Sequence, residues 1–187
     1  MNLARINLST ATTFGHYLLG FALFFISACH SADNTYESKD PRLNDPKLYK
    51  VKVSENEFVV QLAITSKEQS LGLSGIKGHQ WKDNWGMLFI NQKESPKSFW
   101  MPDTYMDLDI FFLNKNLQVV HIERNMKAHP GRQEPPPIMR TPTIIAQYIL
   151  ELKSSSELSK KIKLLDKLNW LDRRSLQKIQ QDTHSQK

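Results

Sequence analysis

From Tyr49 onward the apolar positions recur mostly with the period of two that places alternate side chains on one face of a strand. Tyr49 to Val53 alternates apolar and charged residues, Phe58 to Ile64 is a largely β-branched run, and Met87 to Ile90 and Ser98 to Met101 are short apolar segments bounded by turn residues. Leu108 to Leu113 and Leu117 to Ile122 flank Asn114-Lys115-Asn116. That arrangement predicts a hairpin, with Asn116 taking the left-handed conformation at the third loop position. Ile144 to Leu152 is a further strand, and the set predicts an all-β domain of sandwich type with one or two short helices. The helical signals are a capping box at Thr65 and Glu68 with a stop at Gly72, and a second box at Ser154 and Glu157 opening Leu158 to Ile162. Ile162 to Leu168 reads alternatively as a last strand. A loop holding Pro130, Gly131, Pro135, Pro136, Pro137 and Pro142 precedes Ile144, and loops of that length usually serve function or mobility.

The N-terminal pattern differs from all of this. Residues 1–28 carry one charge, Arg5, and an apolar stretch from Tyr17 to Ile26, too short for a membrane-spanning helix but the length of a signal-peptide core. Its ending, Ile26-Ser27-Ala28-Cys29, resembles the lipobox of bacterial lipoproteins, which implies cleavage before Cys29 and a lipid on its sulfur. A free thiol left by ordinary secretion would be an oxidation liability in that compartment. His30 in the second mature position, where the inner-membrane signal of enteric bacteria is Asp, implies the periplasmic face of the outer membrane. The segment 29–46 is polar and reads as a tether, the domain proper as 47–171, and 172–187 as a basic tail.

Composition and charge then narrow the classes. The chain has 187 residues and a single Cys, which excludes disulfides within the chain, Cys-cluster metal sites and paired-thiol chemistry. The formal net charge of +6 is unevenly spread: residues 29–152 balance 15 basic against 15 acidic residues, whereas 153–187 carry nine against four. A neutral body argues against nucleic-acid binding. The tail would either touch anionic headgroups or simply be solvated, the commoner fate of charge runs.

The motifs Leu62-Ala-Ile-Thr65, Glu68, Gly72-Leu-Ser-Gly75, Gly86-Met-Leu-Phe89, Ser98-Phe-Trp-Met101, Thr104, Leu108 to Leu113 and Tyr148-Ile-Leu-Glu-Leu152 together resemble the domain-of-unknown-function family 192 over about residues 50 to 170. The resemblance implies a compact antiparallel β-sandwich of jelly-roll type and no established activity. This chain departs from the family at Pro102 and Asp103, at Asp107, at Leu117 where Gly is usual, and in lacking a cysteine near Pro135.

For chemistry, a hairpin closed by Asn114 to Asn116 would set Asp109 opposite His121 and Asp107 opposite Glu123. With Asp103 that gives an acid–base pair or a hard-metal site, or else Asp109 accepts backbone hydrogen bonds from the Phe99 to Thr104 loop with His121 as its local partner; a register slip would send Asp109 and His121 to opposite faces and dissolve the cluster. Trp100 with Phe99 and Met101 beside Pro102-Asp103-Thr104 offers a stacking platform for a flat ligand or, alternatively, core packing. Trp81 and Trp85 suggest a loop rim. No nucleophile elbow, phosphate loop or dinucleotide fingerprint is present; no metal and no cofactor are expected, and catalytic residues are unassigned. The expectation is a monomeric, lipid-anchored envelope module binding a small polar ligand or an envelope partner through Trp100, Asp103, Thr104, Asp109 and His121. The alternatives are an envelope hydrolase or metal-dependent enzyme using Asp103, Asp109 and His121, and a structural envelope protein.

Overall fold

A computed structural model describes residues 40–44 and 46–185. The leader 1–28, the anchor Cys29 and residues 30–39 of the tether lie outside the described residues. The last part of the tether is folded: helix α1 (Pro41–Asn44) places Arg42, whose guanidinium is ion-paired with Asp40 and donates to the Gly72 and Ser74 carbonyls at 2.6 and 2.8 Å.

Among the described residues seven strands, β1 (Leu48–Val53), β2 (Asn56–Ala63), β3 (Trp85–Lys97), β4 (Leu108–Leu113), β5 (Val119–Met126), β6 (Ile144–Lys153) and β7 (Leu168–Trp170), form one sheet in the order β5-β4-β6-β3-β2-β1-β7. Strand β1 (Leu48–Val53) turns through Ser54 and Glu55 into β2 (Asn56–Ala63), and their alternating buried residues realise the period-two pattern. Helix α2 (Ser66–Leu71) and a single 3-10 turn over Gly78–Gln80 then carry the chain to β3 (Trp85–Lys97), which runs parallel to β2. That crossover corrects the expectation of a purely antiparallel fold, because a connection of some twenty residues returns the chain to the starting end of the sheet. The pairs β4 (Leu108–Leu113) with β5 (Val119–Met126), β4 with β6 (Ile144–Lys153), and β6 with β3 are antiparallel. Helix α3 (Glu157–Lys161) leads to the short β7 (Leu168–Trp170) beside β1, and α4 (Leu176–Ser185) ends the described chain.

The sheet is curled: the Leu168 and Val119 amides donate across to the carbonyls of Leu117 and Asp166, so the segment before β7 meets the start of β5 at the other edge. The strands expected to make the two layers of a jelly-roll sandwich therefore belong to one mixed sheet, with an apolar cluster on each face. One face buries Val51, Val60, Leu88, Phe111, Leu150 and Leu168. The other buries Trp81, Met87, Phe89, Ile110, Phe112 and Ile149.

Local corrections follow from hydrogen bonding. Ser98 to Met101 is a loop, clasped by Thr141: the Phe99 amide donates to its hydroxyl and its amide to the Phe99 carbonyl, at 2.9 and 2.8 Å. The cap of α3 is Ser156 rather than Ser154, since the Ser156 hydroxyl accepts from the Ser159 amide at 3.0 Å. Trp81 and Trp85 are buried, not on a rim: they meet edge to face, and the Trp81 indole donates to the Trp85 carbonyl at 3.1 Å. The tail residues 176–185 are helical, with Leu176 and Ile179 buried in the first cluster.

Candidate functional site

Strand β6 is buried along most of its length, and Glu151 sits within it between Met87 of β3 and Ile110 of β4 on the sheet. The residue is 6% exposed and its Oε2 has no hydrogen-bond partner among the described residues. An unpartnered buried carboxylate is costly, and the group responds by holding its proton. Burial pushes the Glu151 carboxyl up to about 8, so it is neutral at pH 7.

The carboxyl faces a cavity of about 150 Å³ whose lining also includes Phe89, Phe99, Trp100, Leu108 and the hydroxyl residues Ser74, Ser98 and Thr104. Two loops close it. The 72–75 turn follows α2, whose capping box is intact: Glu68 N donates to Thr65 Oγ1, and the Thr65 amide donates back to Glu68. The 98–104 loop is bound to the 129–141 segment through Met101, Thr104 and Phe99. Gly72, at φ 49° with Phe89 3.2 Å from where a Cβ would stand, lets the first loop lie against the aromatic floor. Phe89 and Phe99 meet edge to face at 4.9 Å, and Phe99 meets Phe112 at 6.2 Å. Trp100 is 48% exposed at the mouth, with the Arg140 guanidinium 4.5 Å from its ring centroid.

Of the residues singled out from sequence, Trp100 and Thr104 line this cavity. Thr104 is buried, its amide bonded to the His129 carbonyl at 3.1 Å. Asp103 turns away at φ 54°, its carbonyl accepting from the Gly75 amide and its amide donating to the Gly131 carbonyl, and it borders a separate shallow depression formed with the Pro-rich loop.

Asp109 and His121 are not brought together. The hairpin turn is wider than expected: Asn114 and Gln118 bond, Leu117 rather than Asn116 is left-handed at φ 60°, and bulges interrupt the ladder. Leu117 closes this turn in a conformation that glycine adopts without strain. His121 therefore pairs with Phe112, against whose ring its own lies at 5.7 Å, and its Nε2 meets Glu123 at 2.6 Å. Asp109 points to the opposite face. It accepts from Ser159 Oγ at 2.6 Å, Ser154 Oγ and Arg124 Nη1 at 2.7 Å, and the Asn125 amide at 2.8 Å. Burial raises its pKa, but these hydrogen bonds outweigh it and hold the carboxyl below its ordinary range. The structure thus makes Asp109 a tie between β4, β5 and α3. Among the described residues no group of three His, Cys, Asp or Glu could hold a metal ion.

Glu151 was the residue that pattern reasoning passed over. The sequence signal is an acid inside the apolar run from Ile144 to Leu152; that β6 has a strand on each side comes from the sheet.

No curated protein matches the chain. Two solved structures resemble it in fold. One, from Sinorhizobium meliloti and described as a candidate transcription regulator, is 23% identical with a TM-score of 0.53, covering 66% of this chain and 93% of its own. The other, a protein of unknown function from Novosphingobium aromaticivorans, is 28% identical with a TM-score of 0.52, covering 66% and 85%. The family model that matches spans residues 49–170, which takes in every strand that frames the cavity, and the chain belongs to the domain-of-unknown-function family 192, described as Uncharacterized ACR.

Proposed function

We propose that the protein is a lipid-anchored cell-envelope module that binds a small polar ligand in the cavity between Glu151 and Trp100. The observation carrying the binding is Glu151 Oε2, buried without a partner at the wall of a cavity with an aromatic mouth. A polar group kept unsatisfied at such a place is accounted for by a ligand that satisfies it. The anchor rests on Ile26-Ser27-Ala28-Cys29, and the outer-membrane address on His30. The polar tether then leaves the domain reaching into the periplasm. The Asp109–His121 pair of the enzyme alternative is not formed, since Asp109 is engaged by Ser154, Ser159, Arg124 and Asn125 on the face opposite His121.

The binding is tested by melting the purified full chain against envelope sugars, short alcohols, amides, amines and small anions. A ligand at a hundred times its dissociation constant adds about 2.7 kcal/mol. A shift lost in both Glu151→Gln and Trp100→Ala supports the site; no shift across the panel overturns it. For the anchor, a palmitate analogue fed to cells should label the wild type and not Cys29→Ala. Label on the variant would sink the lipoprotein assignment.

A further inference from the structure

Resting on that binding reading, we propose that the cavity selects small organic cations, a primary ammonium on a hydrocarbon of a few carbons, with the nitrogen against Glu151 and the carbons among Phe89, Phe99 and Leu108. The walls are rich in acceptors and poor in donors. Three of the four lining hydroxyl protons are already committed: Ser98 donates to the Thr141 carbonyl at 2.9 Å, Ser74 to the Pro102 carbonyl at 3.0 Å, and Thr104 more weakly to the same carbonyl at 3.4 Å. The lining amides of Gly72, Ser74, Met101 and Thr104 are bonded to backbone carbonyls, and Phe99 N to Thr141. The Gln69 amide nitrogen is shared among the carbonyls of Ala63, Ile64 and Ile90. What remains free to meet a ligand is hydroxyl lone pairs, the faces of Phe89 and Phe99, and the Glu151 carboxyl, which accepts N–H groups once ionised, with the exposed Ser70 hydroxyl and Trp100 indole N–H as the remaining donors.

Size agrees with this. A cavity near 150 Å³ holds a molecule of about six heavy atoms. The Arg140 guanidinium lies on the Trp100 ring at the mouth, where its charge opposes an entering cation. Among the described lining residues Glu151 is the only titratable side chain, with Met87 and Ile110 beside it on the neighbouring strands. The charged groups around the site are Arg140 at the mouth, Arg42 with Asp40 behind the 72–75 turn, and Asp103 near Gly75. When an ammonium enters, the carboxyl proton leaves to solvent and the carboxylate accepts the ligand's N–H groups. No other bond changes.

The experiment titrates the full chain with ethylammonium, acetamide and acetate by calorimetry in buffers of different ionisation enthalpy. Ethylammonium should bind at least about tenfold more tightly than acetamide, a difference of roughly 1.4 kcal/mol, and acetate should not bind. Binding should release close to one proton per ligand at pH 6 and far less at pH 9. Glu151→Gln should lose ethylammonium binding while remaining folded by melting, and Arg140→Gln should bind the cation more tightly. Acetamide or acetate binding as well as ethylammonium, or ethylammonium binding to Glu151→Gln undiminished, would overturn the cation preference and leave the binding site standing. Failure of all three probes would overturn the cation preference, with the broader ligand panel then deciding the binding reading.

Discussion

Asp109 and Glu151 are buried carboxyls on adjacent strands, and their surroundings drive them in opposite directions. Asp109, ionised among four hydrogen-bond donors, has its folded pKa lowered. Its contribution is present above the ordinary value of 3.8 and is lost as pH falls through the depressed folded value. Asp109→Asn should cost about 3 kcal/mol at pH 7, because Arg124 and two serines lose the charge they surround, and the loss should be read by urea denaturation. Glu151 has the opposite sign. Its folded value of about 8 lies above the ordinary 4.5, so the unfolded chain ionises first and stability falls as pH rises between the two. The deficit amounts to roughly 3 kcal/mol at pH 7. In Glu151→Gln that slope should be absent between pH 5 and 8, and a variant keeping the wild-type slope would show that another group titrates. Residue type left a structural role open for Asp109 but gave the direction of neither shift. An Asp and a Glu in apolar strands look alike until their neighbours are known, and those neighbours come from positions as distant in sequence as Ser159 is from Asp109.

At the scale of elements, short-range chemistry was readable and register was not. The Thr65 box forms as its spacing requires because both partners lie within one turn of helix. Thr65→Ala should cost about 1 kcal/mol and speed amide exchange across α2, loosening the turn that closes the cavity. The β4–β5 hairpin shows the contrary case. Its strands are where alternation puts them, yet the pairing of Asp109 with His121 fails because a turn closing on Leu117 and two bulges shift the ladder. A shift by an odd number of residues exchanges faces, so a small error in the loop moves an entire set of candidate residues. The merging of Met87 to Ile90 with the following polar residues into one strand β3 has a similar cause. Gln92 to Glu94 carry no apolar pattern, and the pairing of Ser95 to Lys97 with Ile144 to Ala146 comes from β6.

Across the whole molecule the C-terminal segment changes meaning. Its basic count suggested a solvated or surface-binding tail, but Leu176 and Ile179 are buried against the first apolar cluster, and Arg174 and Lys178 pair with Asp182. Leu176→Ala and Ile179→Ala should each destabilise by about 2 kcal/mol or more, whereas a free tail would leave melting unchanged. The sequence by itself determined that this is a mostly β domain of family 192 and where most strands lie, since these follow from local periodicity and motif spacing. Only the tertiary structure decided that the sheet is single, mixed and curled, that Asp109 is a tie, and that Glu151 faces a cavity. Those depend on which strands pair and in what register, and pairing brings together residues that no local pattern relates.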